Sequence, residues 1–174
     1  MRALLLAAVL VVTACGSPVD TGVAAPDGLS PTDLAFADLV IPQNESALAA
    51  LALTAHRPGS ALRPVAARVE TRYRDELAQV REVLARTGRA ESDQHEGHDM
   101  PGMITAAELA AVGHAHGADF DLQLKVLLRN QFEEARTVAR AELASGTSEP
   151  LRELGARIDS TRAEFLELLG GSLQ

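Results

Sequence analysis

The sequence predicts an all-α protein, an antiparallel four-helix bundle made of two helix-turn-helix repeats. Apolar residues recur at three- and four-residue spacing over four long segments, the period of amphipathic helices. No segment alternates polar and apolar residues for long enough to indicate a strand. The two halves of the chain also repeat one order of features: a phenylalanine beside an acidic residue, a polar pair before an alanine, a proline-containing turn and a second helix. Two helical hairpins with short connections are typical of such a bundle.

The first half, residues 32–87, carries two predicted helices. The first follows a proline, and Thr32 or Asp33 is its expected capping residue. Pro42 falls inside the apolar period and should kink this helix or mark its true start. The second helix should end at Gly88, because glycine is a natural residue just past a helix. Its mixed charges, Glu76 among them, are expected to form a solvated outer face.

The second half, residues 105–171, carries the other two long helices. Thr105 and Glu108 have the spacing of a capping box, which predicts a helix start there. Glycines at both ends of 113–117 should bend or break that helix. Gly146 then ends the third long helix, and the last one follows it.

Composition limits both the core and the partners. At 174 residues the chain corresponds to one domain, or to one domain plus a tail. Aromatic residues make up only 3% and tryptophan is absent, so alanine and leucine must fill the core, which favours close helix–helix contact. The net charge of −8 argues against nucleic acid, whose phosphates require a basic surface.

The N-terminus predicts export and lipid anchoring. Residues 1–14 have the basic start and short apolar run of a signal peptide, and that run is too short to span a bilayer. The small residues before Cys15 resemble a bacterial lipobox, in which the cysteine is lipidated and becomes the mature N-terminus. Residues 15–31 would then be the lipidated cysteine and a flexible tether, with the domain held outside the cytoplasm on the cell membrane. The alternative is an ordinary secretory signal with a free thiol.

The loop 88–104 between the halves is the candidate metal site. It concentrates two of the five histidines and two of the three methionines, namely His95, His98, Met100 and Met103. Imidazole and thioether together suit copper, above all Cu(I). Glycine and proline between these residues exclude helix, so the ligands are expected on a pliable loop. The alternative is a polar inter-helix loop that happens to be rich in histidine.

Two further histidines, His114 and His116, flank Ala115 at the predicted helix break. In a helix they point to different sides, so they cannot chelate one ion together. One of them could supplement the central loop. The alternative is two partly exposed histidines at a helix junction.

Three stretches of the sequence are similar to a known family. They are residues 36–42, His98 to Met103, and Gly117-Ala118-Asp119-Phe120-Asp121. Through them the chain resembles the domain of unknown function 305 family of bacterial envelope proteins, over residues 33–169. The resemblance implies a ferritin-like four-helix fold and, because several members are implicated in copper binding, copper as a ligand.

The chain departs from that family where the core ligands would lie. The family usually has Met-Ile-Pro-His-His in the first half, and here Val40 replaces the methionine while Gln43 and Asn44 replace the histidine pair. In the second half Gln131 and Phe132 stand where a like pair is found. Amides are poor copper ligands, and once buried they must hydrogen-bond within the bundle. Only the central loop keeps soft donors.

The sequence therefore predicts a lipid-anchored helical binding protein with a residual Cu(I) site. The alternative is a non-metal interaction bundle that presents an acidic surface to an unidentified protein partner. An enzyme is not expected and no catalytic residue is assigned. Neither the Glu-x-x-His of di-iron bundles nor the His-Glu-x-x-His of zinc proteases occurs.

Overall fold

The computed structural model describes residues 28–92 and 98–171, and all regular structure within these ranges is helical. This confirms the predicted fold class. The helices are α1 (Pro31–Ala52), α2 (Arg63–Arg86), α3 (Ala106–His114), α4 (Gly117–Ser145) and α5 (Glu149–Gly171), with a 3-10 turn at Leu53–His56. The predicted signal peptide, Cys15 and most of the tether lie outside the described residues. Among the helices described, none is both long and apolar enough to cross a membrane.

The four long helices form an antiparallel bundle in the cyclic order α1, α2, α5, α4. Asp33 at the start of α1 contacts Thr147 just past α4. Arg68, early in α2, pairs with Glu164, late in α5. Neighbouring helices therefore run in opposite directions, as short connections require, and α3 is a short additional helix against α4.

The start of α1 differs from the sequence prediction. Ser30 is the capping residue: its hydroxyl accepts from the Asp33 N–H at 3.2 Å, and the Asp33 carboxylate accepts from the Ser30 N–H at 2.6 Å. Each side chain thus satisfies a backbone donor that the first helical turn leaves free. Pro42 does not mark the true start of the helix, which runs through it, because burial of the apolar turns on both sides outweighs the one hydrogen bond that proline removes.

The predicted start and break in the second half are confirmed. Thr105 caps α3 in a reciprocal capping box with Glu108. The chain leaves helix after His114 and re-enters it at Gly117, whose φ of +56° is a conformation that glycine adopts without strain.

The core consists of two apolar clusters separated by polar side chains. One cluster surrounds Phe132 and Phe165, whose ring centroids lie 5.6 Å apart, and the other surrounds Phe36 and Ile158. Buried alanines in α1 and α4 allow the helices to approach closely, as the composition predicts. The polar layer between the clusters is formed by Asn44, Tyr73, Glu76, Gln131 and Arg162.

Candidate metal centre

The central loop contains a tight turn that carries both methionines. The Met103 N–H donates to the Met100 carbonyl at 3.0 Å, and Gly102 takes a φ of +78°. Both methionines are half-buried and His98 is exposed. His95 lies outside the described residues.

This turn is docked on the bundle rather than pliable throughout. Gln43 donates from Nε2 to the Pro101 carbonyl at 2.7 Å, and the Ile104 N–H donates to the Ser46 hydroxyl at 3.1 Å. A Cβ on Gly102 would lie 2.7 Å from Gln43 Nε2, so the turn fits closely against α1. The docking of this turn on α1 could not be predicted from the sequence, because the contacts join residues 58 positions apart.

A polar cavity of about 200 Å³ adjoins the turn, and Met103, Glu108 and Gln131 are among the residues that line it. Gln131 Nε2 is buried and has no hydrogen-bond partner within the described residues. The cavity leaves room beside the Met103 side chain for an ion or a small polar molecule.

The two junction histidines lie away from any multi-residue ligand cluster. Both are exposed, and His114 Nδ1 lies 2.7 Å from the Ala110 carbonyl of its own helix. Within residues 28–92 and 98–171, no three histidine, cysteine, aspartate or glutamate side chains group as a metal site would require. The soft donors placed together by the turn are therefore the two methionines, with His98 two residues before the first of them.

The four positions at which the chain lacks the histidine pairs of the family have separate structural roles. Gln43 holds the loop turn, Asn44 and Gln131 belong to the polar layer, and Phe132 packs in the apolar core. The expectation that the amides hydrogen-bond across the bundle is met in part. Gln43 Oε1 and Gln131 Nε2 have no partner in the part of the chain that the structure describes.

The polar layer is organised by a buried ion pair between Arg162 and Glu76. The guanidinium donates to both Glu76 oxygens, at 2.7 and 2.6 Å, and to Asn44 Oδ1 at 3.1 Å. Asn44 in turn donates from Nδ2 to Glu76 at 2.9 Å. The guanidinium carbon lies 4.0 Å from the centre of the Tyr73 ring, and the Tyr73 hydroxyl donates to Gln131.

Electrostatics keep the Arg162 guanidinium charged although it is buried. Arg162 is 0% exposed and Glu76 is 4% exposed. Burial alone would lower the pKa of Arg162, but Tyr73 and Glu76 raise it above its usual value. Burial also raises the pKa of Tyr73, so its hydroxyl stays protonated and donates.

The expectation that Glu76 lies on a solvated face is wrong, and Arg162 was not singled out from the sequence. A signal was nevertheless present. Glu76 lies three residues after Tyr73 and one before Leu77, on the apolar stripe of α2, and Arg162 lies between Ile158 and Phe165 on the stripe of α5. A charge on each stripe, of opposite sign, predicts a buried pair.

A second buried polar cluster lies at the start of α1. The Asp33 carboxylate accepts from the backbone N–H groups of Ser30, Thr147 and Ser148 and from the Thr147 hydroxyl, at 2.6 to 3.0 Å. Burial would raise the pKa of Asp33, but these hydrogen bonds outweigh it and hold the pKa well below its usual range. One carboxylate thus joins the start of α1 to the turn before α5.

Glu142 faces this carboxylate and is fully buried. No donor among the described residues reaches its oxygens. Burial, together with the neighbouring Asp33, raises the pKa of Glu142 to about 8, and Arg152 opposes the shift only in part. At neutral pH the pair therefore holds one proton, on Glu142, which can donate to Asp33.

Fold and site together define a four-helix bundle with a charged interior layer and a methionine-bearing turn docked on its side. The model of the family "Domain of unknown function (DUF305)" matches residues 33–170, and the chain belongs to that family.

Two solved structures show the same fold. A DUF305 fragment from Deinococcus radiodurans superposes with a TM-score of 0.73 at 18% identity, over 82% of this chain and 95% of that one. A DUF305 protein from Streptomyces coelicolor, described as secreted, gives a TM-score of 0.72 at 16% identity, over 83% and 91%. No curated protein matches the chain.

Proposed function

We propose that the protein binds Cu(I) at its central loop, outside the cytoplasm, while anchored to the cell membrane by a lipid on Cys15. The observation that supports this best is the docked turn of Met100 and Met103. It holds two thioether-bearing residues three positions apart against the bundle, and Met103 lines the adjoining cavity. With His98 and His95 they form a donor set of the kind that Cu(I) prefers.

The docking of the turn on the bundle should increase its affinity for Cu(I). Ordering a free loop costs about 1–2 kcal/mol per residue fixed. The hydrogen bonds from Gln43 and to Ser46 order the backbone around the methionines before any ion arrives. We therefore expect this docking to lower the cost of ordering the methionines on ion binding.

Replacing both methionines by leucine should weaken Cu(I) binding at least tenfold, because leucine keeps the volume and removes the thioether. The measurement is a competition titration against a chromogenic Cu(I) chelator. The fold should survive, since half-buried methionine-to-leucine changes cost less than about 1.5 kcal/mol. As a matched pair, His98→Gln should weaken binding while His114→Gln, at the helix junction, should not.

Equal Cu(I) affinity in the wild type and the methionine variant would exclude the loop as the site. The interaction bundle would then be the better hypothesis, and one observation favours it. Leu122 and Val126 are 55% and 50% exposed and help to line an apolar groove of about 350 Å³ between α3 and α4. Large exposed apolar side chains in one groove are typical of contact surfaces.

Lipid anchoring rests on the residues before Cys15, and the description of the Streptomyces coelicolor protein as secreted supports export. Cys15→Ser should abolish incorporation of radiolabelled palmitate and reduce the membrane-bound fraction. Each buried CH₂ of an acyl chain contributes about 0.8 kcal/mol to membrane binding. Since Cys15 is the single cysteine, no other thiol can take its place. Label retained in the variant, or missing from the wild type, would refute the lipoprotein hypothesis.

A further inference from the structure

We propose that the polar layer is a binding site for a planar cation, that the guanidinium of Arg162 fills it, and that it does not accept a metal ion. Four helices contribute to this site: Asn44 from α1, Tyr73 and Glu76 from α2, Gln131 from α4, and Arg162 from α5. The bundle interior therefore carries its own cation, covalently attached.

The terminal nitrogens of Arg162 make hydrogen bonds that suit a planar fork, whereas Arg162 Nε has no partner among the described residues. Both oxygens of Glu76 accept from the two terminal nitrogens of Arg162, the two-point geometry that a guanidinium makes and an ammonium cannot. Asn44 closes the ring, since its oxygen accepts from Arg162 and its nitrogen donates to Glu76. A metal ion would need these same oxygens.

The Tyr73 ring adds a second feature that selects a planar cation. The guanidinium carbon lies over the ring, 4.0 Å from its centre, well within the range of a cation–π contact. The Tyr73 hydroxyl donates to Gln131, so its hydrogen is directed away from Arg162. An incoming metal ion would meet the positive charge of Arg162 at close range and no free carboxylate oxygen.

The two apolar clusters seal the layer. Arg162 is 0% exposed, Asn44 and Gln131 are each 1% exposed, and aromatic or aliphatic side chains pack on both sides. Removing the Arg162 side chain should therefore leave a closed, guanidinium-sized cavity with a buried carboxylate on one side and an aromatic face on another. An unpaired buried carboxylate is strongly destabilising.

The test is chemical rescue of Arg162→Ala. The variant should melt about 10 °C or more below the wild type. Guanidinium chloride up to 20 mM, far below denaturing concentrations, should raise its melting temperature by several degrees and then saturate, as a bound ligand does. Sodium chloride at the same concentration should not. The wild type should show no rise with guanidinium, because its site is filled.

Arg136→Ala is the matched control. Arg136 pairs with Asp159 across α4 and α5, as Arg162 pairs across α2 and α5, but both partners are about one quarter exposed. Water fills the space left there, so guanidinium should not rescue this variant. An equal effect of guanidinium on the two variants would overturn the proposal. So would a larger rise of Arg162→Ala with Mn²⁺, an ion that prefers oxygen ligands, than with guanidinium.

A second variant covers the case in which Arg162→Ala does not fold even with guanidinium. The double variant Arg162→Met, Glu76→Met then tests whether the unpaired charge of Glu76 causes the failure. It removes both charges and fills the volume with apolar atoms, which commonly restores stability. A folded double variant supports the ion-pair site, whereas a double variant that also fails to fold contradicts it. None of these measurements involves the central loop, so their outcome is independent of the Cu(I) proposal.

Discussion

Asp33→Ala is expected to lower the free energy of unfolding by about 3–5 kcal/mol. Alanine removes an acceptor that serves three backbone N–H groups and one hydroxyl in a fully buried place. Each buried donor left without an acceptor costs about 1–3 kcal/mol. Loss of the capping interaction at α1 adds roughly 1 kcal/mol. The protonated Glu142 carboxyl also loses Asp33 as an acceptor. Chemical denaturation monitored by circular dichroism measures the change.

Asp119→Ala is the matched control. Asp119 lies in the first turn of α4, as Asp33 does in α1, but it is exposed and its hydrogen bond from Gln123 lies within its own helix. Water replaces that bond, so the loss should stay below about 1 kcal/mol. Similar losses in the two variants would show that Asp33 acts only as a helix-start residue and not as a link between α1 and α5.

The stability of the wild type is expected to fall as pH rises from about 4.5 to about 8, because of Glu142. Its pKa is raised to about 8 in the folded protein, from an ordinary value of 4.5. Within this window the unfolded chain has lost the proton and the folded chain keeps it, so raising the pH favours unfolding. The slope is at most roughly 1.4 kcal/mol per pH unit, and above pH 8 no further loss arises from this group.

The opposite sign applies to Asp33 on the acid side. Its pKa is depressed in the folded protein, so its contribution to stability is present above the ordinary value of 3.8 and is lost as pH falls below that value. Because Asp33 lowers the stability at more acidic pH and Glu142 lowers it at higher pH, the free energy of unfolding should be largest near pH 4 to 5. Melting temperatures from pH 3 to pH 9 measure this profile, and for a domain of this size we expect a fall of about 5–10 °C between pH 5 and pH 8.

Glu142→Gln separates this effect from other titrations. An amide cannot ionise, so the melting temperature of the variant should stay nearly level between pH 5 and pH 8 and should exceed that of the wild type at pH 8. Glu108→Gln, which alters the exposed capping box of α3, should follow the wild-type profile. Parallel profiles for the wild type and Glu142→Gln would mean that the proton is not held at this pair.

The sequence by itself determined the fold class, the number of long helices and most of their ends. These features depend on local chemistry: the apolar period, the capping box at Thr105, and glycines at 88, 113, 117 and 146. Short connections then leave antiparallel neighbours as the simple arrangement. The start of α1 was placed two or three residues too late, because Asp33 has the chemistry of a capping residue as well as that of the third helical residue in a capping box.

Only the tertiary structure decided where the polar side chains go. Arg162 meets Glu76 across 86 positions, Asp33 reaches Thr147 across 114, and Gln43 holds the central loop across 58. Periodicity places such residues on a face, but which faces meet, and at what height, depends on the packing of all four helices. A charge on an apolar stripe is therefore ambiguous until its partner helix is known, since the cost of burying it depends on whether an opposite charge lies at the same level.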